Sequence, residues 1–263
     1  MNIKTVSAIW IYPVKSLGGI RLLSAKLLPK GLEHDRRWML IDRENKFMTQ
    51  RVYPGMALFK LSFDSINFTI RYSGEMIDLP FQCGTEIIPA QVWDDTVEVC
   101  EVSKFHSTWF SERLGMACRL VSFPENNSRL INPNYATHGE QVSLADGYPL
   151  LVIGQSSLDD LNRRMQVPLP MNRFRPNIVF TGGEPYEEDK WRNFKIGNCR
   201  FTGVKPCSRC VLTTVDQDTG VSGIEPLATL AIYRKVENKV YFGQNLIPVS
   251  LGEIAEGDNI ILE

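Results

Sequence analysis

Apolar and polar positions alternate with a period of two along most of this chain, and that period predicts strands. Val6-Ser7-Ala8-Ile9-Trp10-Ile11-Tyr12 is such a run, ended by Pro13, and Arg21 to Leu28 is read as another. Between Leu58 and Val102 short runs follow one another: Leu58 to Ser62, Ile66 to Tyr72, Glu75 to Leu79, Glu86 to Val92 and Thr96 to Glu101. Polar turns separate them, a spacing that argues for an antiparallel sandwich or barrel. Arg119 to Phe123, Leu150 to Ile153, Phe194 to Gly203, Val240 to Leu246 and Ile254 to Leu262 extend the pattern. Helical periods are few. Lys104 to Leu114 puts Phe105, Trp109, Phe110 and Leu114 near one face, with Gly115 suited to a C-cap. Leu158 to Met165 follows the capping residues Gln155-Ser156-Ser157 and carries Asp159 and Asp160 in its predicted first turn. Glu225-Pro226-Leu227 is read as the start of a short helix that runs through Tyr233-Arg234. The fold class is mainly β with a few helices.

The polar, asparagine-rich stretch Pro124 to Glu140 predicts a long loop, a connector or a lid. With 263 residues the chain can bury a sizeable core. Lys+Arg 29 against Asp+Glu 30 leaves a net charge of −1 and no basic footprint for nucleic acid. No apolar run approaches the ~18 residues of a membrane span. The start, Met1-Asn2-Ile3-Lys4-Thr5, lacks the apolar core of a signal peptide, so a cytoplasmic location is expected. Six cysteines in such a chain read as free thiols.

The most distinctive chemistry is K-P-C-S-R-C-V-L-T-T-V-D-Q-D-T-G, Lys205 to Gly220. Pro206 stiffens the approach to Cys207 and Cys210, and Ser208 and Arg209 separate them. The β-branched run Val211 to Val215 reads as a strand, which places a thiol at a strand mouth beside an arginine. Such surroundings favour the thiolate, the form a soft metal takes. The spacing alone leaves three readings open. Two semi-buried structural cysteines fit. Half a zinc site fits, but a second ligand pair is missing and His34, His106 and His138 are scattered. A redox pair normally opens a helix, which the β-branched run argues against.

The motif resembles the signature of the MOSC family of molybdenum cofactor proteins, and within it the YcbX-type proteins and amidoxime-reducing components. The resemblance extends over almost the whole chain through separate motifs in the same order: P-V-K-S at Pro13 to Ser16, D-R-x-W at Asp35 to Trp38, A-D-G-Y-P at Ala145 to Pro149, F-R-P-N-I-V at Phe174 to Val179, and the cysteine motif. It implies two domains, an N-terminal MOSC-associated β-rich domain over 1–123 and a β-barrel MOSC domain over 124–263. It implies a molybdenum–pterin cofactor (molybdopterin) whose metal is ligated by Cys210, with Cys207 a neighbour. Lys15, Ser16, Arg36, Asp146, Arg175, Asn177, Ser208 and Arg209 carry over as cofactor-binding positions. Pro176 is expected to hold Arg175 extended, so that its side chain reaches the site. Arg51 is a further basic candidate. On composition alone, P-V-K-S is a solvated turn, Asp146 a turn aspartate, and Asp35 and Arg37 a surface pair.

The resemblance implies an oxidoreductase that reduces N-hydroxylated small molecules, a detoxification chemistry, at molybdenum. The chain contains neither the C-x4-C-x2-C spacing of a plant-type iron–sulfur cluster nor a dinucleotide fingerprint for flavin or nicotinamide. Electrons are therefore expected from a separate protein, a flavoprotein reductase with or without a ferredoxin or haem carrier. The alternatives are a non-catalytic cofactor or sulfur carrier and a β-rich structural domain with an inert cysteine pair.

Overall fold

The computed structural model describes residues 3–82, 84–136 and 138–263. Met1 and Asn2, part of the export reading, Cys83 and Thr137 lie outside them. Cys118, Cys199, Cys207 and Cys210 are free thiols.

Seven strands close into a barrel. Around it run Leu150–Gly154, Ile178–Thr181, Lys4–Ile11, Asn259–Leu262, Asn193–Ile196, Cys199–Arg209 and Lys239–Pro248, and the last pairs back onto the first. Closure leaves no open edge among these strands. All of these pairings are antiparallel except Leu150–Gly154 with Ile178–Thr181, which needs a crossover and obtains it from the helix Gln155–Arg163. Lys4–Ile11, first in sequence, is hydrogen-bonded inside the barrel that the C-terminal half builds. Phe180, Trp191, Phe194, Phe201 and Leu246 belong to the apolar core there.

A second unit packs beside the barrel. Trp38–Ile41, Arg119–Ser122, Asp95–Glu101 and Ile87–Val92 form a four-stranded sheet. Ile87–Val92 alternates exposed and buried residues along its length, as its sequence predicts. Lys60–Phe63, Phe68–Tyr72 and Glu75–Leu79 form a three-stranded meander. The helix Lys104–Leu114 starts at Ser103, whose hydroxyl accepts from the His106 N–H, and ends at Gly115 in the left-handed conformation. Among the described residues no helix is long and apolar enough to cross a membrane.

Several predicted elements differ. Arg21 to Leu28 is two strands, Ile20–Leu22 and Ser24–Leu28, and the last run is also two, Gly252–Ala255 and Asn259–Leu262. Phe105 is 69% exposed, and only Trp109 and Phe110 of its expected face are fully buried. The second helix begins earlier, after Gly154, so its first turn carries no acid. Asp160 instead pairs with Arg163 and Arg164 and accepts from the Tyr186 hydroxyl.

The largest correction concerns the cysteine motif. Val211–Thr214 is a 3-10 turn, and the strand, Cys199–Arg209, lies before the thiol of Cys210. β-Propensity yields here to local side-chain bonding. Thr213 Oγ1 donates to the Cys210 carbonyl at 2.9 Å and Thr214 Oγ1 to that of Val211 at 2.8 Å, a pattern that competes with a sheet ladder. Two register shifts interrupt the pairing of this strand with Lys239–Pro248, between Gly203 and Lys205 and between Pro206 and Ser208. Bulges bend a strand and re-aim its side chains. Gly203 makes the first possible, since a Cβ there would lie 2.1 Å from the Trp191 carbonyl oxygen.

Candidate functional site: a cationic cleft around two thiols

Every site position taken from the sequence lines one cleft. Lys15, Ser16, Arg36, Asp146, Arg175, Asn177, Ser208, Arg209 and Cys210 are there, with Cys207 and Arg51. They come from six separate stretches of chain, which the closed barrel and its neighbour bring together.

The strand end at Ile11 delivers the first group. Lys15 is buried, and its ammonium donates to the Leu144 carbonyl at 2.8 Å and to Asp146 Oδ1 at 2.5 Å. It lies 5.0 Å from the Phe47 ring centroid. Burial pushes its pKa down, Asp146 pulls it partway back, Arg129 and Arg51 add to the drop, and the value is about 8. Burial also raises the Asp146 carboxyl, but Lys15 and Arg51 outweigh it and hold the group well below the usual carboxylate range. The Asp146 side chain is 54% exposed, so its two cations, not burial, govern it.

Arg36 and Arg175 share one ring. Their guanidinium carbons lie 4.3 and 4.2 Å from the centroid of Tyr12, which is itself buried. Arg36 also forks onto Asp35 at 2.8 and 2.7 Å. Asp35 is fully buried, so the surface pair with Arg37 that composition suggested is replaced by this internal one. Asn177 Oδ1 accepts from Arg36 at 3.2 Å and from the Leu151 N–H at 3.2 Å, and its amide nitrogen donates to the Trp10 carbonyl. Its polar atoms are thus engaged by the protein, and it positions Arg36.

Arg175 is not extended. It caps the 3-10 turn Met171–Phe174 in the left-handed region, φ 54°, ψ 47°. Pro176 disfavours the right-handed helical region for its predecessor, and a left-handed exit ends the turn instead. Its Nη1 then donates to the Leu17 carbonyl at 2.6 Å. Ser16 (φ 66°) and Arg36 (φ 50°) share this uncommon conformation. Strained non-glycine residues of this kind cluster at ligand clamps.

On the facing wall, Arg209 donates from Nη1 to Cys207 Sγ at 3.1 Å and from Nη2 to the Phe174 carbonyl at 2.6 Å. Arg51 Nη1 approaches Cys210 Sγ at 3.6 Å, and Arg51 pairs with Asp146 at 3.5 Å. The two thiols therefore meet different cations. Cys207 also packs against the apolar cluster of Leu151, Phe174 and Phe242.

The lining cations are Lys15, Arg36, Arg51, Arg175 and Arg209, and the lining carboxylate is Asp146. Arg175 Nη2 and Arg209 Nε are buried and have no hydrogen-bond partner among the described residues. Unpaired buried donors in an excess of positive charge suit an anion with several acceptor oxygens. A thiol beside them supplies a soft metal ligand. The residues fit a phosphate-bearing molybdenum–pterin. Among the described residues no cluster of three or more His, Cys, Asp or Glu is arranged for a metal, so the zinc reading finds no further ligands there.

Sequence reasoning missed Tyr12, Phe47, Trp93 and Arg129. Arg129 lies in the loop that was expected to be a connector or lid, and it staples that loop to the cleft. It donates to Asp95 at 2.7 Å and to the carbonyls of Ser143, Ala145 and Asp146 at 3.0, 2.5 and 3.0 Å. Tyr12 sits immediately before P-V-K-S, and that adjacency was its signal.

The Lys15 value carries a prediction. A lysine with a folded pKa below its unfolded one sheds its proton first in the fold, so between about pH 8 and 10.5 this group's contribution to stability rises with pH. Affinity for an anion moves the other way, because the charge is lost above about pH 8. Calorimetry with inorganic pyrophosphate should show affinity falling through that window in the wild type and holding in Lys15→Arg. A flat wild-type profile contradicts this.

Comparison with known proteins gives the class. Residues 139–261 match the MOSC domain and residues 3–117 the MOSC N-terminal beta barrel domain. The chain belongs to the MOSC-domain family. It is 34% identical to human mitochondrial amidoxime-reducing component 1 over 99% of this chain and 83% of that protein. It is 32% identical to bovine mitochondrial amidoxime reducing component 2 over 98% and 83%. Molybdenum cofactor sulfurase of Arabidopsis thaliana is 29% identical over 90% of this chain, which spans 32% of that longer protein.

Proposed function

We propose that this protein is a molybdenum–pterin oxidoreductase that reduces N-hydroxylated compounds, namely hydroxylamines, N-hydroxypurines and amidoximes. The observation that carries the reading is the convergence of Lys15, Arg36, Arg51, Arg175 and Arg209 on one cleft with Cys210. The relatives named for amidoxime reduction and for the molybdenum cofactor support it.

Lys15, Ser16, Arg36, Arg175 and Arg209 would bind and neutralise the phosphate and ring acceptors, and Cys210 would ligate the metal as thiolate. When bound, the group supplies two-electron chemistry, by which an N–OH compound, two electrons and two protons give the N–H compound and water. Ser208 is exposed at the cleft and offers a hydroxyl donor. Asp146 restrains Lys15 and Arg51, while Tyr12 and Asn177 fix Arg36. Preorganised cations of this kind need no rearrangement when the anion arrives.

Electrons would come from a separate flavoprotein reductase, with or without a ferredoxin or haem carrier, and the reading places the protein in the cytoplasm. Molybdenum-loaded protein is expected to reduce benzamidoxime with reduced methyl viologen and to fail with NADPH alone. Adding a flavoprotein reductase and its carrier should restore NADPH-driven turnover. Steady NADPH-driven turnover by the isolated protein would refute the separate donor. Retained cofactor with no turnover under any donor would favour a non-catalytic carrier.

A further inference from the structure

Beyond the cofactor cleft, the hairpin between Ile87–Val92 and Asp95–Glu101 turns on two residues, Trp93 and Asp94. A tight hairpin turn favours Gly, Asn or Asp where φ is positive. Here Trp93 occupies that position with φ 57°, an outlier for a bulky side chain. The turn is fixed by Gln91, whose amide donates to the Trp93 carbonyl at 2.9 Å. The indole N–H donates to Asp146 Oδ1 at 3.1 Å, and the Arg51 guanidinium lies 4.4 Å from the ring centroid. Arg51 in turn approaches the Cys210 thiol. Trp93 nevertheless remains 43% exposed. Its hydrogen bond and the Arg51 contact hold a large aromatic surface against two residues that line the cleft, one side chain away from the thiol. Its ring also meets Phe47, with centroids 5.1 Å apart.

We propose that Trp93 is a specificity-determining residue. Its exposed indole supports the planar, conjugated part of an N-hydroxylated substrate while the N–OH group reaches toward Cys210. The inference rests on the reductase reading and deepens it: aromatic amidoximes and N-hydroxylated heteroaromatic bases are preferred over small aliphatic hydroxylamines. Planar π-systems gain from stacking on an indole, and a saturated chain does not.

The test compares benzamidoxime with N-methylhydroxylamine in wild type, Trp93→Leu and Trp93→Phe, with rates normalised to molybdenum and reduced methyl viologen as donor. In Trp93→Leu the ratio of kcat/KM for the aromatic over the aliphatic substrate should fall about tenfold, mainly through KM. Trp93→Phe should recover most of it. Calorimetric binding of benzamidoxime without reductant should weaken about tenfold in Trp93→Leu, a readout that needs no turnover. A wild type that turns over both substrates with a ratio unmoved by Trp93→Leu overturns the proposal and leaves the reductase reading standing. A molybdenum-loaded wild type that reduces neither substrate overturns both.

Discussion

Cys210→Ala is expected to purify without molybdenum, and Cys207→Ala to retain it. The cleft contains two thiols with different surroundings. Cys210 leaves the strand end, begins the 3-10 turn Val211–Thr214 and meets Arg51. Cys207 is bound by Arg209 and leans on the Phe174 cluster, so its sulfur is already engaged. On the proposed reading, Cys210→Ala would remove the one bond from the chain to the metal, whereas Cys207→Ala removes packing at a half-buried site. Elemental analysis of both variants, expressed in cells that make the cofactor, decides between them. Equal loss in both would point to a paired-thiol site and sink the single-ligand assignment.

Tyr12→Leu is expected to release the cofactor, while Tyr12→Phe keeps it. Arg36 and Arg175 carry like charges, and burial followed by the Arg36 charge pushes Arg175 down to about 10. The Tyr12 ring offsets that repulsion through its π face, each cation–π contact contributing about 1–2 kcal/mol when desolvated. Gly19 makes room for the ring, because a Cβ there would lie 2.4 Å from a Tyr12 ring carbon. Leucine fills this slot poorly and offers no π face. It should destabilise the fold by about 2–3 kcal/mol and lower cofactor retention about tenfold or more. Phenylalanine loses only the hydroxyl bond to the Pro176 carbonyl, about 1 kcal/mol. Urea unfolding and bound-pterin measurements on both variants separate the two effects. Retention unchanged in Tyr12→Leu would show that the ring does not organise the arginines.

Much of the strand content was legible because alternation is a local signal. Ile87–Val92 and Glu75–Leu79 follow their patterns closely, and Gly115 marks the end of the first helix. A barrel was expected, but the pairings that close it were not legible, since Lys4–Ile11 pairs with Ile178–Thr181 and Asn259–Leu262, far along the chain. Val211–Thr214 failed because its threonines bond backward to carbonyls, which a propensity scale does not record. The motifs located the charged residues of the cleft. They did not indicate the supports: Tyr12 reads as an ordinary core aromatic before a proline, and Trp93 as a turn residue of the wrong type. Such violations of local preference are where strain and function are expected to coincide.

The central claim is that this cleft holds a molybdenum–pterin. It is tested most directly by measuring molybdenum, zinc and pterin together in protein freshly purified from cofactor-competent cells. The account predicts molybdenum and pterin in equal amounts with each other and with the chain, and zinc at background. Folded protein that contains neither, or that contains zinc in place of molybdenum, would contradict it.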